Sequence, residues 1–481
     1  MQSAGKFYNF GGLMNKFIKS YFLKACFVLL SVFALVGIGF GQTNENCNCV
    51  PNEVLIDLLN QSDLPAVAAQ YGLNPTPLGQ VGTPPTYRMR ITSGKTPLEI
   101  TAAMQGDARI LQREVNRKVS FVEKEGLSWT QGRSWSVGRS WSVGSSVKGF
   151  NRQWFTYNIR LNEAHNHEQG SRGKGVVIAV LDTGIDLNHS AFAGRLVPGY
   201  DFVGGDSDPS EEGILRQDSA YGHGTHVAGI IARVAPEAKI MPIRVLDKNG
   251  EGELWRIKDA LIWAADPDRN PQTDDGADII NMSFGYPKDA FPQSNTFLHD
   301  LMGGCDGVTL PGEQVFPEFL EKTLAFVAAA GNGGDSNKIY PAAERVESVG
   351  NLLGVGASTR YEKLAPFSTM ASGDRGSERW VRAVAPGEEI VSSLPGDRYG
   401  IWSGTSMAAP IAAGIAALVK AKNPDLSPEQ LADRIDDTGI EWDCEQPRPP
   451  RNYIFKTSRV DALCAVTNNQ ACGENSGACR E

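Results

Sequence analysis

The sequence predicts an α/β chain: a doubly wound, mainly parallel sheet after about residue 150, preceded by a small α+β module. Three observations predict it. Val176–Leu181, Ile240–Leu246, Ala277–Met282 and Thr323–Ala330 are unbroken apolar runs of strand length. Such runs suit parallel strands covered on both faces, where neither side meets water. Helix-like stretches, among them Val227–Val234 and Leu254–Ala265, separate these runs, and that alternation indicates crossover units. Finally, 41% hydrophobic residues and 52 Gly in 481 suit a large core with many loops, and exclude a disordered or multi-span membrane chain.

Taken from the amino terminus, residues 1–41 read as a secretory signal. Lys16, Lys19 and Lys24 precede an apolar run from Ala25 to Phe40, with Gly39 and Gly41 at the expected cut. Met14 could serve as the start. A membrane anchor is disfavoured because the run is shorter than the roughly 20 residues of a span, and Cys26 lies at the start of the run, whereas a lipoprotein cysteine follows it. The expected location is therefore secreted or periplasmic, without a stable membrane anchor. Seven cysteines remain after such a cut, at 47, 49, 305, 444, 464, 472 and 479. In an exported protein these are disulfide candidates, with one left over. Acidic residues outnumber basic ones 55 to 46 for a net charge of −9, which argues against a nucleic-acid partner.

Residues 42–126 predict a compact module in the order βαββαβ. Strands are expected at Val54–Leu59, Pro75–Val81, Tyr87–Ile91 and Leu111–Val119, and helices at Leu64–Tyr71 and Pro97–Met104. Residues 127–150 hold RSWSVG twice, at 133–138 and 139–144, within a Ser/Gly-rich stretch that reads as an exposed linker. The main domain spans 151–466. Near its end Ser406–Lys422 suits a buried helix, and Ser427–Thr438 a helix with Ser427 as N-cap. Residues 467–481 form a tail with two cysteines and no readable motif.

Four short segments end apolar runs and carry reactive residues. They are VLDTGID with Asp182, YGHGTHVAG with His223, AAAGN with Asn332 and SGTSMAAP with Ser406. Loops beyond the carboxyl ends of parallel strands converge on one crevice, so such positions collect chemistry. Ser406 opens a helix, whose free N–H groups favour a developing oxyanion. Asp, His, Ser is one of the three chain orders of the acyl-transfer triad. The nucleophile-elbow hydrolases need a His after the Ser, whereas the six histidines, at 165, 167, 189, 223, 226 and 299, all precede Ser406. No HExxH zinc motif occurs. The second strand-end Asp-Thr-Gly that an aspartic-protease dyad needs is absent, since Asp437-Thr438-Gly439 follows a helix with a polar lead-in.

With these motifs in order, the chain resembles the subtilisin-like serine proteases, the subtilases. MPIRVLDKNGEGELW, ADIINMSFG, AFVAAAGN and AVAPGEEIVSSLPGDRYGIWSGTSMAAPIAAGIAALV extend the likeness over roughly residues 150–466. The resemblance implies an exported serine endopeptidase acting on polypeptide substrates, with Ser406 as nucleophile, His223 as base and then acid, and Asp182 orienting the imidazole. Asn332 and the Ser406 N–H would hold the oxyanion. His226 would be structural. It further implies that Ser283-Phe284-Gly285 and Gly250-Glu251-Gly252 pair with the substrate backbone as strand edges. Ala329-Ala330-Gly331 would line the first specificity pocket and leave room for a bulky apolar side chain.

The chain also departs from the family. Ala191 stands where an Asp is common, and Ala232-Arg233-Val234-Ala235-Pro236 runs on without the usual calcium loop. No cofactor is expected for catalysis and no metal-ligand set is assigned; structural calcium remains possible, with the usual site missing. The acidic cluster Asp201, Asp206, Asp208, Glu211 and Glu212 reads as a solvated loop, and His165 and His167 as solvent-facing loop residues. An insertion after Gly285 contains Cys305. The 42–126 module resembles a subtilase propeptide, which implies a monomeric zymogen inhibited by its own leader and activated by self-cleavage between about 121 and 150. A dedicated maturation protease, or an inactive binding module on the same fold, is the alternative.

Overall fold

Two sheets dominate the computed structural model, which describes residues 48–82, 85–122, 135–136, 148–215, 217–270, 272–287, 298, 302, 324–347, 350–370, 379–446 and 453–469. The expected signal segment, the stretch around Cys305 and residues 470–481 lie outside the described residues, as does most of the expected linker.

The N-terminal module follows the predicted order. Strands β1 (Cys49–Leu58), β2 (Gly79–Val81), β3 (Thr86–Arg90) and β4 (Ile110–Phe121) alternate with helices Leu64–Tyr71 and Pro97–Ala103. β1 lies between β3 and β4, antiparallel to both. Side chains alternate across a strand, so Val54, Ile56 and Leu58 enter a small core with Val67, Tyr87, Met89 and Ile100, while Glu53, Leu55 and Asp57 point the other way. A capping box of Thr96 and Glu99 with Pro97 starts the second helix.

The main domain is built on a nine-stranded sheet. Its strands are β6 (Val177–Asp182), β7 (Tyr200–Asp201), β8 (Lys239–Arg244), β10 (Ile279–Met282), β12 (Ala325–Ala329), β14 (Leu352–Ser358), β15 (Val381–Pro386), β18 (Ile440–Gln446) and β19 (Tyr453–Arg459). They lie in the order β18-β19-β15-β14-β12-β10-β6-β8-β7. Every neighbouring pair is parallel except β18 with β19. Helix Thr405–Lys422 packs on β10, β12, β14 and β15, and helix Leu254–Ala265 on β6 and β8. Helix Pro428–Asp437 starts with the expected Ser427 cap, in a capping box with Gln430.

Several short strands serve the site. They are β9 (Glu251–Glu253), β11 (Phe284–Pro287), β13 (Ile339–Tyr340), β16 (Ile390–Leu394) and β17 (Arg398–Trp402). Trp135–Ser136 forms β5 and corrects part of the linker expectation: it pairs antiparallel with β17, Trp135 opposite Trp402. The backbone ladder, which needs no apolar pattern, is what orders this copy of the repeat. The loop expected around His165 is also corrected. His165 lies in helix Leu161–Asn166, half-buried, with Nε2 2.8 Å from Val234 O, and burial lowers its pKa. Among the described residues no helix is long and apolar enough to cross a membrane.

Candidate active site

Three adjacent parallel strands deliver three of the site's residues. β6 ends at Asp182, β10 leads into Ser283, and β12 runs on to Asn332, all at the carboxyl edge of the sheet. His223 opens helix His223–Val234, after Gly222 at φ +85°, and Ser406 is the second residue of helix Thr405–Lys422. The sequence places these groups up to 224 positions apart; the parallel topology brings them together.

Asp182, His223 and Ser406 are fully buried. Asp182 Oδ1 accepts from His223 Nδ1 at 2.7 Å and from Thr183 N at 2.8 Å. A carboxylate only accepts, so the imidazole proton sits on Nδ1 and Nε2 is left as the basic nitrogen. The Ser406 hydroxyl donates to Ser283 O at 3.1 Å. Asn332 Oδ1 accepts from Thr405 N at 2.9 Å and from the Thr405 hydroxyl at 3.1 Å, and Gly331 N donates to that hydroxyl. A backbone N–H cannot accept, which fixes the amide orientation and turns Nδ2 away from Thr405. Among the described residues Asn332 Nδ2 is buried with no hydrogen-bond partner. An amide held in this way can donate to a charge that appears only during reaction.

The two edges predicted to hold substrate are occupied by the chain itself. β4 runs antiparallel to β9, with Val119 opposite Gly252 and Ser120 opposite Glu251. It also runs antiparallel to β11, with Ser120 opposite Gly285 and Phe121 opposite Phe284. Phe121 is fully buried and meets the His223 ring edge-to-face at 5.4 Å. Gly250, at φ +74°, makes that seat: a Cβ there would lie 2.1 Å from the Phe121 ring. Of the expected pocket lining, Gly331 borders a cavity that also touches Val122, whereas Ala329 and Ala330 are fully buried behind it.

Over residues 173–465 the chain matches the family model of the subtilases. The chain is a subtilase. It is accordingly a serine-type endopeptidase, similar at 36% identity to the thermophilic serine proteinase of Bacillus sp. (strain AK1), over 66% of this chain and 67% of that one. It is 33% identical to thermitase from Thermoactinomyces vulgaris, over 60% of this chain and 92% of that enzyme. The crystal structure of fervidolysin from Fervidobacterium pennivorans, described as a keratinolytic enzyme related to subtilisin, superposes with a TM-score of 0.61 at 20% identity. It covers 89% of this chain and 62% of that one, a likeness of fold.

Around this subtilase site the structure corrects one expectation and adds residues that sequence reasoning missed. The acidic cluster is only partly solvated. Asp201 is buried on Arg244 at 2.8 Å, and Glu212 meets the same guanidinium. Glu211 accepts from the Thr183 hydroxyl at 2.6 Å and from Thr225 N and its hydroxyl, so it ties the Asp182 turn to the His223 helix. Burial pushes its carboxyl up to about 7 against the pull of those hydrogen bonds, with the Asp182 charge adding to the rise. Trp402 was not anticipated either. Its ring lies edge-on to His223 at 5.2 Å and to His226 at 5.6 Å. Only its place four residues before Ser406 could have signalled it. His226 is fully buried; burial, then the nearby His223, lowers its pKa to about 3. It therefore stays neutral at working pH, as a packing residue does.

Proposed function

We propose that this subtilase is an exported zymogen whose N-terminal module inhibits the cleft until the chain cuts itself after Val122. One observation carries the reading: the last residues of β4 pair with both predicted substrate edges and end beside Asn332 and His223. An extended segment held between two edges is a substrate pose, read mostly through its backbone.

In this reading Ser406 Oγ attacks the carbonyl carbon after Val122 while His223 Nε2 takes its proton. Asp182 holds the imidazole through Nδ1 and stabilises its charged form without taking the proton. Asn332 Nδ2 and the Ser406 N–H receive the oxyanion. The C–N bond breaks as His223 returns the proton to the leaving amine, and water then hydrolyses the acyl-enzyme by the same route reversed. Attacking group, base and oxyanion donors all come from the chain, so the step needs no cofactor. In subtilisin, losing the Ser or the His alone costs about 2 × 10⁶ in kcat, and a similar loss is expected here. Export is supported by the order of charges and apolar residues before Gly41.

The test is to express residues 42–481 beside the same chain with Ser406→Ala and follow intact mass. Loss of about 80 residues from the unmutated chain alone is expected, with a new amino terminus at Glu123. An intact chain that is fully active would overturn the zymogen reading, and equal trimming of both would assign the cut to another protease.

A further inference from the structure

We propose that Ile339 closes the first specificity pocket, so that this subtilase cleaves after small aliphatic residues of about valine size and discriminates against aromatic and long side chains. The inference rests on the catalytic reading above and names the substrates of the same site.

The argument begins with the register of β4. Ser120 and Phe121 are the last paired residues, opposite Gly285 and Phe284, and Val122 follows them. Val122 borders one cavity of about 270 Å³ together with Gly285, Gly331, Asn332 and Ile339. Asn332 marks where the oxyanion forms, so the side chain that enters beside it belongs to the residue before the cut. That residue is Val122.

Glycines bare the backbone on the two walls of this slot, which from sequence suggests room for a large side chain. The room is already taken. A Cβ on Gly285 would lie 2.4 Å from Ile339 Cγ2, and a Cβ on Gly331 would lie 2.8 Å from Ile339 Cγ1. One branched side chain therefore reaches both walls, and its two arms stand where each wall's own side chain would be. Val122 Cγ1 comes within 3.5 Å of the same point on Gly285. Valine and isoleucine thus share the space beside that wall, and Val122 is packed there to 7% exposure. Ile339 cannot easily withdraw: β13 pairs with β11, Ile339 opposite Pro287 and Tyr340 opposite Tyr286, so the backbone carrying the plug is laddered to the strand that holds the substrate. The rest of the cavity runs out past Asp335, Asn337 and Lys338. Those three side chains are polar, and an aromatic ring displaced towards them keeps apolar cover only from the Tyr286–Pro287 side.

A single methylene in excess of a close-fitting pocket is discriminated by about 10–200-fold in kcat/KM. A benzyl group exceeds valine's side chain by several carbons, so discrimination of at least about 100-fold is expected.

The full chain supplies its own assay. Val122→Phe is expected to slow self-cleavage at least about 100-fold and Val122→Ala far less, and Ile339→Gly added to Val122→Phe is expected to restore at least about a tenth of the original rate. Matured enzyme, with and without Ile339→Gly, is then tested on peptides that differ only in Ala, Val, Leu or Phe before the cut. The unmutated enzyme is expected to favour Val and Ala over Phe, and Ile339→Gly to raise the ratio of kcat/KM for Phe to that for Val by at least about tenfold. Ile339→Ala serves as the milder variant should the glycine chain fold poorly. Equal or better cleavage after Phe by the unmutated enzyme overturns the pocket assignment, as does a Phe-to-Val ratio untouched by both Ile339 variants. Labelling of Ser406 by a fluorophosphonate separates this from failure of the catalytic reading: a labelled enzyme without Val preference sinks the pocket alone. An unlabelled, inactive one sinks both.

Discussion

The two large sheets of this protein bury their faces differently. In the main sheet Ile178–Leu181, Ile279, Ile280 and Phe326–Ala329 are inaccessible or nearly so on both sides, and the contacts are apolar. The module's sheet has one such face, turned to its own small core. Its other face carries Glu53, Asp57, Thr86, Arg88 and Glu114 beside Leu55 and Val81, with Asp57 opposite Thr86 and Leu55 between Arg88 and Glu114; Leu55 and Val81 join the main core. That face packs near helix Leu254–Ala265 and finds polar partners there. Trp255 N donates to Asn116 Oδ1 at 3.2 Å, buried Lys258 donates to the Thr86 hydroxyl, and its Nζ lies 3.9 Å from Asp57. A sheet whose second face carries charged and polar groups among its apolar ones is more readily taken up by water than one apolar throughout. The difference suits a module that docks firmly yet can leave.

The largest expected effect separates chemistry from docking. Asn332→Ala should lower kcat by about 10²–10³, the loss seen on removing one oxyanion donor in subtilisin. Because Asn332 Nδ2 has no hydrogen-bond partner among the described residues with β4 in the cleft, inhibition by the added module should change less than about threefold. Steady-state kinetics with and without purified module would show whether the two can be uncoupled.

Lys258→Met is the converse. Removing one partner of a buried charge pair commonly costs about 2–5 kcal/mol in binding, and the 3.9 Å separation places this pair at the low end, with module inhibition weakened by about 30-fold or more at pH 8. Activity of the matured enzyme should be unaffected. Burial raises the Asp57 carboxyl, and Lys258 opposes that rise. With Lys258 gone the bound module holds an Asp57 proton more tightly than the free one does, so inhibition of the variant should strengthen as pH falls towards 4. An inhibition constant flat with pH would show that Asp57 does not remain buried.

A smaller effect concerns the main domain alone. The pKa of His226 is lowered from 6.5 to about 3, so below about 6.5 the unfolded chain takes up a proton that the folded chain refuses. Stability from this group is full above 6.5 and is lost as pH falls towards 3. Urea midpoints at pH 7.5 and 4.5 should differ less in His226→Phe than in the unmutated enzyme.

The smallest effect uses a motif that both regions share. Thr96→Ala and Ser427→Ala each delete a capping box, at about 1 kcal/mol apiece. Thr96→Ala should lower the melting temperature of the isolated module, or abolish its folding, because that core is small. Ser427→Ala should shift the main domain by only a few degrees.

Much of this was legible in the residues. The βαββαβ order of the module followed from short apolar runs of strand and helix length, and its helices were placed within one residue. Asp182, His223, Asn332 and Ser406 announced themselves because reactive residues at strand and helix ends come with Gly and small neighbours that let loops approach closely. Strands β14 to β19 were not anticipated. LLGVGAS in β14 owes its strand to burial between β12 and β15 rather than to branched side chains, and small residues carry no strong local preference. Glu211 looked like one acid among five, and only the fold shows it under the Thr183 turn.

By itself, the sequence determined which groups are candidates for the chemistry and in which order the parallel units are laid down, since both rest on residue type and short-range spacing. The tertiary structure alone decided what lies against what. The 110–121 strand enters the cleft through backbone pairing, which is blind to side-chain identity. Ile339 reaches the pocket from a strand 54 residues beyond Gly285, through a ladder no local pattern encodes. Lys258 meets Asp57 across 201 positions. Contacts of that range depend on the whole chain's packing, and packing is a property of shape in three dimensions rather than of neighbours in sequence.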